Sequence, residues 1–282
     1  MIDALPKAES TPEMRAALAQ AAGQLEIADA APTLTAQLGG DPSVEVRLAS
    51  LRALQALKVK NIDEVMKTAL ADKDPSVRKA ALGILPGLAM TSAAKVQQLT
   101  SLIKAGSQAE RQGAFEVLGT LKTAESREAL GQYLDELQAG RIAPELQLDV
   151  VEAAQADPAP ALAARLEAYR TSRGADTLTN ALRDALRTGG DPRQGAGVIF
   201  TNPAAECTRC HSFEGTAANV GPNLSKIGAS LSRDQLVEAL LEPSARIAPG
   251  FGTAGVSPMP PYGAILKPKE IRDIVEFLSV LK

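Results

Sequence analysis

The sequence predicts an all-α fold: an α-solenoid over residues 1–188, followed by a smaller helical domain over residues 189–282. Three observations point there. The composition is dominated by Ala and Leu, with only 3% aromatic residues and no Trp, which favours helices over strands. One apolar pattern recurs at a near-constant interval through the first two thirds of the chain. A cluster of turn formers near residue 190 then separates those repeats from a segment that holds every Cys and the one His. A length of 282 residues fits two domains.

Composition also narrows the function classes. With 45% hydrophobic and 22% charged residues the chain reads as an ordinary globular protein. The 30 Lys and Arg against 33 Asp and Glu give a net charge of -3, which supplies no basic field for nucleic acid. No apolar run approaches the ~18 to 20 residues of a membrane-spanning helix. The nearest candidate, Ala80 to Met90, is interrupted by Gly83, Pro86 and Gly87. The opening stretch from Met1 to Lys7 lacks the basic start, apolar middle and cleavage site of a secretory signal, so either the chain is not exported or a leader has been removed.

The repeat is clearest at its arginines. Arg15, Arg47, Arg78 and Arg111 follow one another at intervals of 32, 31 and 33 residues, each amid Ala, Val and Leu, and a weaker copy runs from Leu146 to Val151. Two copies open with Asp-Pro-Ser, at Asp41 and Asp74, where Asp is expected to cap a helix whose first position is Pro. Val77, Ala80, Ala81, Ile84 and Leu85 form the apolar stripe of an amphipathic helix, which cannot bury that stripe alone. Stacked helix pairs bury it, and small Ala side chains let the helices approach closely.

On the Asp41…Val46-Arg47 and Asp74…Val77-Arg78 patterns, roughly residues 10 to 185 resemble a HEAT-repeat array. The resemblance implies either a concave docking surface for a protein partner or a spacer that positions the next domain. The region has no His and no Cys, and its carboxylates are expected on solvated helical faces, so no active site is assigned to it. A last amphipathic helix is expected from Leu178 to Leu186, before Thr188-Gly189-Gly190-Asp191-Pro192 marks the domain change.

Cys207-Thr208-Arg209-Cys210-His211 is the Cys-x-x-Cys-His haem-attachment motif. Two thiols add across the two vinyl groups of haem, and the next residue presents an imidazole to the iron. A structural zinc site needs four Cys or His ligands and the chain has three. A thioredoxin-type dithiol belongs beside a βαβ pattern, which is missing here, and a disulfide closing two intervening residues would remove little chain entropy.

With His211 the only imidazole, the sixth iron position is left to a Met, an external group or nothing. Of the five Met residues only Met259 follows the motif, in a stiff Ser257-Pro258-Met259-Pro260-Pro261 loop. That context favours a ligand over a core gap-filler.

The segment from about Pro192 to Lys282 resembles the class I cytochrome c family, a helical fold in which an amino-terminal helix crosses a carboxy-terminal one. The first helix would carry Gly195 to Phe200. The last would run from Lys267 to Leu278 and bury Ile271, Ile274, Val275 and Leu278, while Leu231 to Leu241, capped by Ser232, would line the haem pocket with Leu236, Leu240 and Leu241. The Gly221-Pro222-Asn223-Leu224 loop is similar to the family's Gly-Pro-x-Leu loop. That similarity implies that the Pro222 carbonyl accepts the ring N–H of His211 and that Leu224 packs on the haem edge.

More narrowly, the stretches from Glu242 to Phe251 and from Met259 to Leu278 resemble the haem-binding tails of planctomycete and verrucomicrobial dehydrogenase-like proteins, without their β-propeller. The resemblances imply one covalent haem c with its iron, His211/Met259 ligation and an electron-transfer module rather than an enzyme. They imply a dehydrogenase as electron donor, a cytochrome or oxidase as acceptor, and maturation in the periplasm or another extracytoplasmic compartment. Two rival readings stay open: a haem enzyme or gas sensor with a displaceable sixth ligand, and an interaction scaffold whose haem reports redox state.

Overall fold

The protein is described by a computed structural model covering residues 10–215 and 220–282. The stretch inspected for a leader, from Met1 to Lys7, lies outside the described residues. The described residues are helical, and the only β pairing among them is an isolated bridge between Thr253 and Val256. The chain divides into two compact units, Met1–Gln132 with Glu152–Leu162, and Tyr133–Val151 with Ala163–Lys282.

In the first unit the helices are α1 (Pro12–Gln24), α2 (Ala31–Gly40), α3 (Val44–Ala56), α4 (Ile62–Leu70), α5 (Pro75–Ile84), α6 (Ser92–Ala105) and α7 (Gln108–Leu121). The unit divisions fall within α8 (Ala124–Gln138), α9 (Pro144–Gln155) and α10 (Pro160–Ser172). Helices α1, α3, α5 and α7 pack side by side in chain order, and α2, α4 and α6 form a second row, so this region is solenoid-like. Its core is the apolar face each helix cannot hide alone: Val46, Leu51 and Leu54 on α3, Val65 and Met66 on α4, Val77 and Leu82 on α5, Phe115 and Leu118 on α7.

The recurring arginines fall on α1, α3, α5 and α7; the first three, Arg15, Arg47 and Arg78, form a ladder, while Arg111 donates to the Ile103 carbonyl at 2.8 Å. Arg47 donates through Nε and Nη2 to both carboxylate oxygens of Asp72 (2.7 and 3.0 Å) and through Nη1 to the Asp41 carbonyl (2.8 Å). Arg15 pairs in the same bidentate way with Asp41, and Arg78 donates to Glu110 and to the Asp72 carbonyl. Each rung therefore ties a helix to the turn before it and to the next helix pair. Arg127 and Asp157 add a further pair.

Two expectations change here. The carboxylates of the array are not all solvated: the Arg47 and Asp72 side chains are 2% and 5% exposed. Asp41 does not cap α3. Ser43 does, while the Asp41 carboxylate accepts from the Ser43 amide and from Arg15. A bidentate guanidinium holds a carboxylate that a cap would otherwise use. Asp74 does cap α5, accepting from the Ser76 amide.

The second unit contains α11 (Leu178–Ala181), α12 (Pro192–Thr201), α13 (Cys207–Cys210), α14 (Ile227–Ser230), α15 (Arg233–Leu241) and α16 (Pro268–Val280). The helix expected from Leu178 to Leu186 is instead the single turn α11 followed by a 3₁₀ turn at Ala185–Arg187. Ala181, Leu182, Ala185 and Leu186 are all buried, so the tightened turns bury the apolar stripe without one continuous helix. Helices α12 and α16 cross in close contact, and α14 and α15 also pack on α16. Phe200, Phe213 and Phe277 cluster beside the crossing, with ring centroids 5.1 Å (Phe200–Phe213) and 6.0 Å (Phe200–Phe277) apart in edge-on arrangements. Arg272 of α16 forms a bidentate pair with Asp149 of α9, with side chains 2% and 6% exposed. No described helix is long and apolar enough to cross a membrane.

For Asp72, burial pushes the carboxyl up, but the Arg47 guanidinium and the Asp74 amide outweigh it and hold the group below the ordinary 3.8. Its stabilising contribution is complete above 3.8 and is lost as pH falls through the lower folded-state value. Asp72→Asn, which leaves Arg47 buried and uncompensated, is expected to cost about 3–5 kcal/mol in chemical denaturation at pH 7. Its stability should also fall less steeply than wild type as the buffer is taken from neutral pH to below the ordinary carboxylate value; parallel slopes would contradict this role for the pair.

Candidate functional site

The haem-attachment motif sits on one helical turn. The turn α13 closes when the His211 amide donates to the Cys207 carbonyl at 2.9 Å, which brings Cys207, Cys210 and His211 to one place. Glu206, at the N-cap, takes a left-handed conformation (φ 46°), and its carboxylate accepts from Arg209 at 2.6 Å. The two cysteines are not bonded to each other.

Beside this turn runs the Gly221–Leu224 loop, fastened by two backbone hydrogen bonds. The Gly221 amide donates to the Cys210 carbonyl and the Leu224 amide to the Ser212 carbonyl, both at 2.8 Å. These straps deliver the Pro222 carbonyl to within 2.9 Å of His211 Nδ1. A carbonyl only accepts, so Nδ1 carries the proton and Nε2 keeps the lone pair that can ligate a metal. Gly221 is required by this contact: a Cβ there would lie 2.7 Å from His211 Cε1.

Around these groups is a cavity of about 370 Å³. Its lining includes Cys207, Cys210, His211, Pro222, Leu224 and Met259, so every site residue expected from the sequence borders one space. Most of the remaining wall is apolar, with Leu236 and Leu240 of α15, Leu278 of α16 and Ile247 and Phe251 from the segment after α15. A larger hollow of about 580 Å³ lies in the first unit, but Asp63, Glu64, Lys67 and Arg78 make its walls charged. Of the two, only the first offers an apolar macrocycle a matching surface together with two thiols and an imidazole.

Met259 is half-buried, and its amide donates to Ser257 Oγ at 3.2 Å, while the Ser257 amide donates to Ser244 Oγ at 3.1 Å. The loop that presents the thioether is thus tied locally to the segment after α15.

Sequence reasoning missed two lining residues, Tyr262 and Arg246. Tyr262 is buried, and its hydroxyl donates to the Ala205 carbonyl at 2.6 Å, linking the chain after Met259 to the chain before Cys207. Its hint in the sequence was an aromatic with a polar handle directly after Pro260-Pro261. Burial pushes the Tyr262 phenol well above its ordinary value, with the neighbouring Cys207 adding to the shift, and burial likewise raises the Cys207 thiol.

The chemistry of these residues, two thiols and one imidazole on a turn facing an apolar cavity, fits covalent haem with iron. Tyr262→Phe leaves the Ala205 carbonyl without its partner and is expected to cost about 1–3 kcal/mol in unfolding experiments on the haem-loaded protein. Gly221→Val forces the imidazole out of register, and the expected outcome is an altered haem absorption spectrum; an unchanged spectrum in that variant would contradict the role given to the contact.

Residues 196–282 match the cytochrome c family model, and this stretch contains all six expected site residues. No curated protein matches the chain. The chain therefore carries a C-terminal cytochrome c domain after a solenoid-like helical region, and its cofactor is haem c, covalently attached, with its iron.

Proposed function

We propose that this cytochrome c domain, which supports a haem-binding role in electron transfer, carries one haem ligated by His211 and Met259 and passes single electrons between protein partners. The observation that carries the reading is the single apolar cavity bordered by Cys207, Cys210, His211 and Met259. When bound, the haem supplies an iron that takes up and releases one electron.

The residues of the chain divide the remaining work. Cys207 and Cys210 tether the ring as thioethers. His211 offers Nε2 to the iron while the Pro222 carbonyl holds Nδ1–H, which fixes both tautomer and ring orientation. Met259 offers a neutral, soft sulfur, a ligand that raises the reduction potential relative to harder donors. Leu224, Leu236 and Leu240 keep water off the ring, so the cavity favours the less charged ferrous state.

In this reading the array occupies residues 1–188 and the haem domain 189–282, with HEAT-like helix pairs orienting a redox partner. The Asp149–Arg272 pair then fastens a helix of the array to α16. The donor is a dehydrogenase, the acceptor a cytochrome or oxidase, and the setting is the periplasm or another extracytoplasmic compartment, where haem c is attached. Cytochrome c domains typically serve electron transfer rather than catalysis, which supports reading the chain as a module of, or beside, a larger enzyme.

Absorption spectra of oxidised and reduced protein, wild type and Met259→Ala, test the ligand set. Wild type is expected to show covalent low-spin haem with a Met-to-iron band; the variant should lose that band, turn high-spin and shift its midpoint potential downward. A band that survives the substitution, or a reduced wild type that binds carbon monoxide at once, would favour instead an open or displaceable sixth position, as in a sensor.

A further inference from the structure

We propose that Arg246 binds a haem propionate and that Glu238 positions it to do so, a reading that rests on the haem occupying the cavity at Cys207–His211. A haem is an apolar ring with two carboxylates at one edge, and a carboxylate taken out of water needs a donor or a counter-charge. The cavity wall is nearly all apolar, and Arg246 is its only Arg or Lys among the described residues. Most other polar groups there are committed, His211 Nδ1 to Pro222, the Tyr262 hydroxyl to Ala205, the Glu206 carboxylate to Arg209 and Ser257 Oγ to the Met259 amide, and the remaining Ser230 hydroxyl carries no charge to set against a carboxylate.

Arg246 has the geometry and the spare capacity for the task. It lies just beyond α15, after a turn closed by the Ala245 amide on the Glu242 carbonyl at 2.8 Å. Its side chain lines the cavity and is 53% exposed, so it stands where cavity meets solvent, as a propionate edge would. Arg246 Nε donates to Glu238 Oε2 at 3.1 Å, and its Nη groups have no hydrogen-bond partner among the described residues. Glu238 projects from α15, a rigid element, so the pair holds the planar guanidinium while leaving its outer N–H groups for a carboxylate. Charge sets the direction of the effect on the iron. A cation beside the propionate opposes the extra positive charge of the ferric state, so removing it favours the ferric form and lowers the potential.

The test uses full-length, haem-loaded protein as wild type, Arg246→Gln, Arg246→Lys and Glu238→Gln. Two quantities are read, the propionate bending band in resonance Raman spectra and the midpoint potential. Arg246→Gln is expected to shift the band and lower the potential. Arg246→Lys, which keeps a cation at the site and guards against a folding artefact, should restore most of both, and Glu238→Gln should give a smaller displacement of the band. A propionate band unmoved in Arg246→Gln overturns the proposal even if the potential falls, because a distant charge alone would do that. An unaltered band in Glu238→Gln overturns the positioning role of Glu238. Wild-type protein lacking covalent haem would defeat this proposal together with the electron-transfer reading, whereas covalent haem with an unmoved band defeats this one alone.

Discussion

Helices α12 and α16 approach so closely at Gly195 that a Cβ there would collide with the Asp273 carbonyl. Backbone meets backbone with no side chain between, and the haem domain is arranged around that contact. From the crossing, α12 leads through Asn202–Glu206 to the Cys207 turn, while Leu278, further along α16, forms part of the cavity wall. The Asp273 side chain serves the same junction: its carboxylate accepts from the Asp191 amide at 2.8 Å, ahead of the first turn of α12. Burial raises the Asp273 carboxyl, and the Asp191 amide only partly offsets that rise, so an ionisable group is retained where it closes a helix end.

The same logic of buried polar groups with fixed partners runs through the array. A solenoid has no single core, so each helix pair depends on its neighbours for burial and for alignment. Ala and Leu supply burial without much directionality. The arginine ladder supplies direction, because a bidentate guanidinium accepts its carboxylate in one plane. Asp41 and Asp72 each receive an arginine on the carboxylate and a second arginine on the carbonyl, so adjacent rungs share a residue. That sharing links Arg15, Arg47 and Arg78 into one chain of contacts.

Much of this was legible in the chain, for reasons particular to each residue. Cys207, Cys210 and His211 could be read because their pattern is local: one turn of helix brings all three together. Helices α15 and α16 could be read because their apolar stripes and Ser232 cap are local as well. The arginine period was visible, but its partners were not, since Asp72 lies 25 residues from Arg47 and only the stacking of helix pairs brings them together. Asp41 was misread as a cap because Asp-Pro-Ser offers two side chains for one helix start, and the choice between them depends on Arg15 from another helix. The amphipathic helix expected from Leu178 to Leu186 keeps a buried face at Ala181, Leu182, Ala185 and Leu186 but is not one helix, since periodicity reports which face is covered and not whether the turns stay regular.

By itself the sequence determined the all-α class and the repeat interval, and it singled out the Cys-x-x-Cys-His motif and the one Met that follows it, in a proline-stiffened loop. These depend on residue type and short-range spacing, which the chain carries in full. Only the tertiary structure decided that Pro222 and Met259 border the same cavity as the Cys207 turn, that Tyr262 ties two distant segments beside it, that Gly195 lets α12 meet α16, and that Arg246 is the one Arg or Lys among the described residues of an apolar wall. Such roles exist between segments, and a side chain acquires them from what packing sets beside it in a low-dielectric space, where one charge or one missing Cβ outweighs many local preferences.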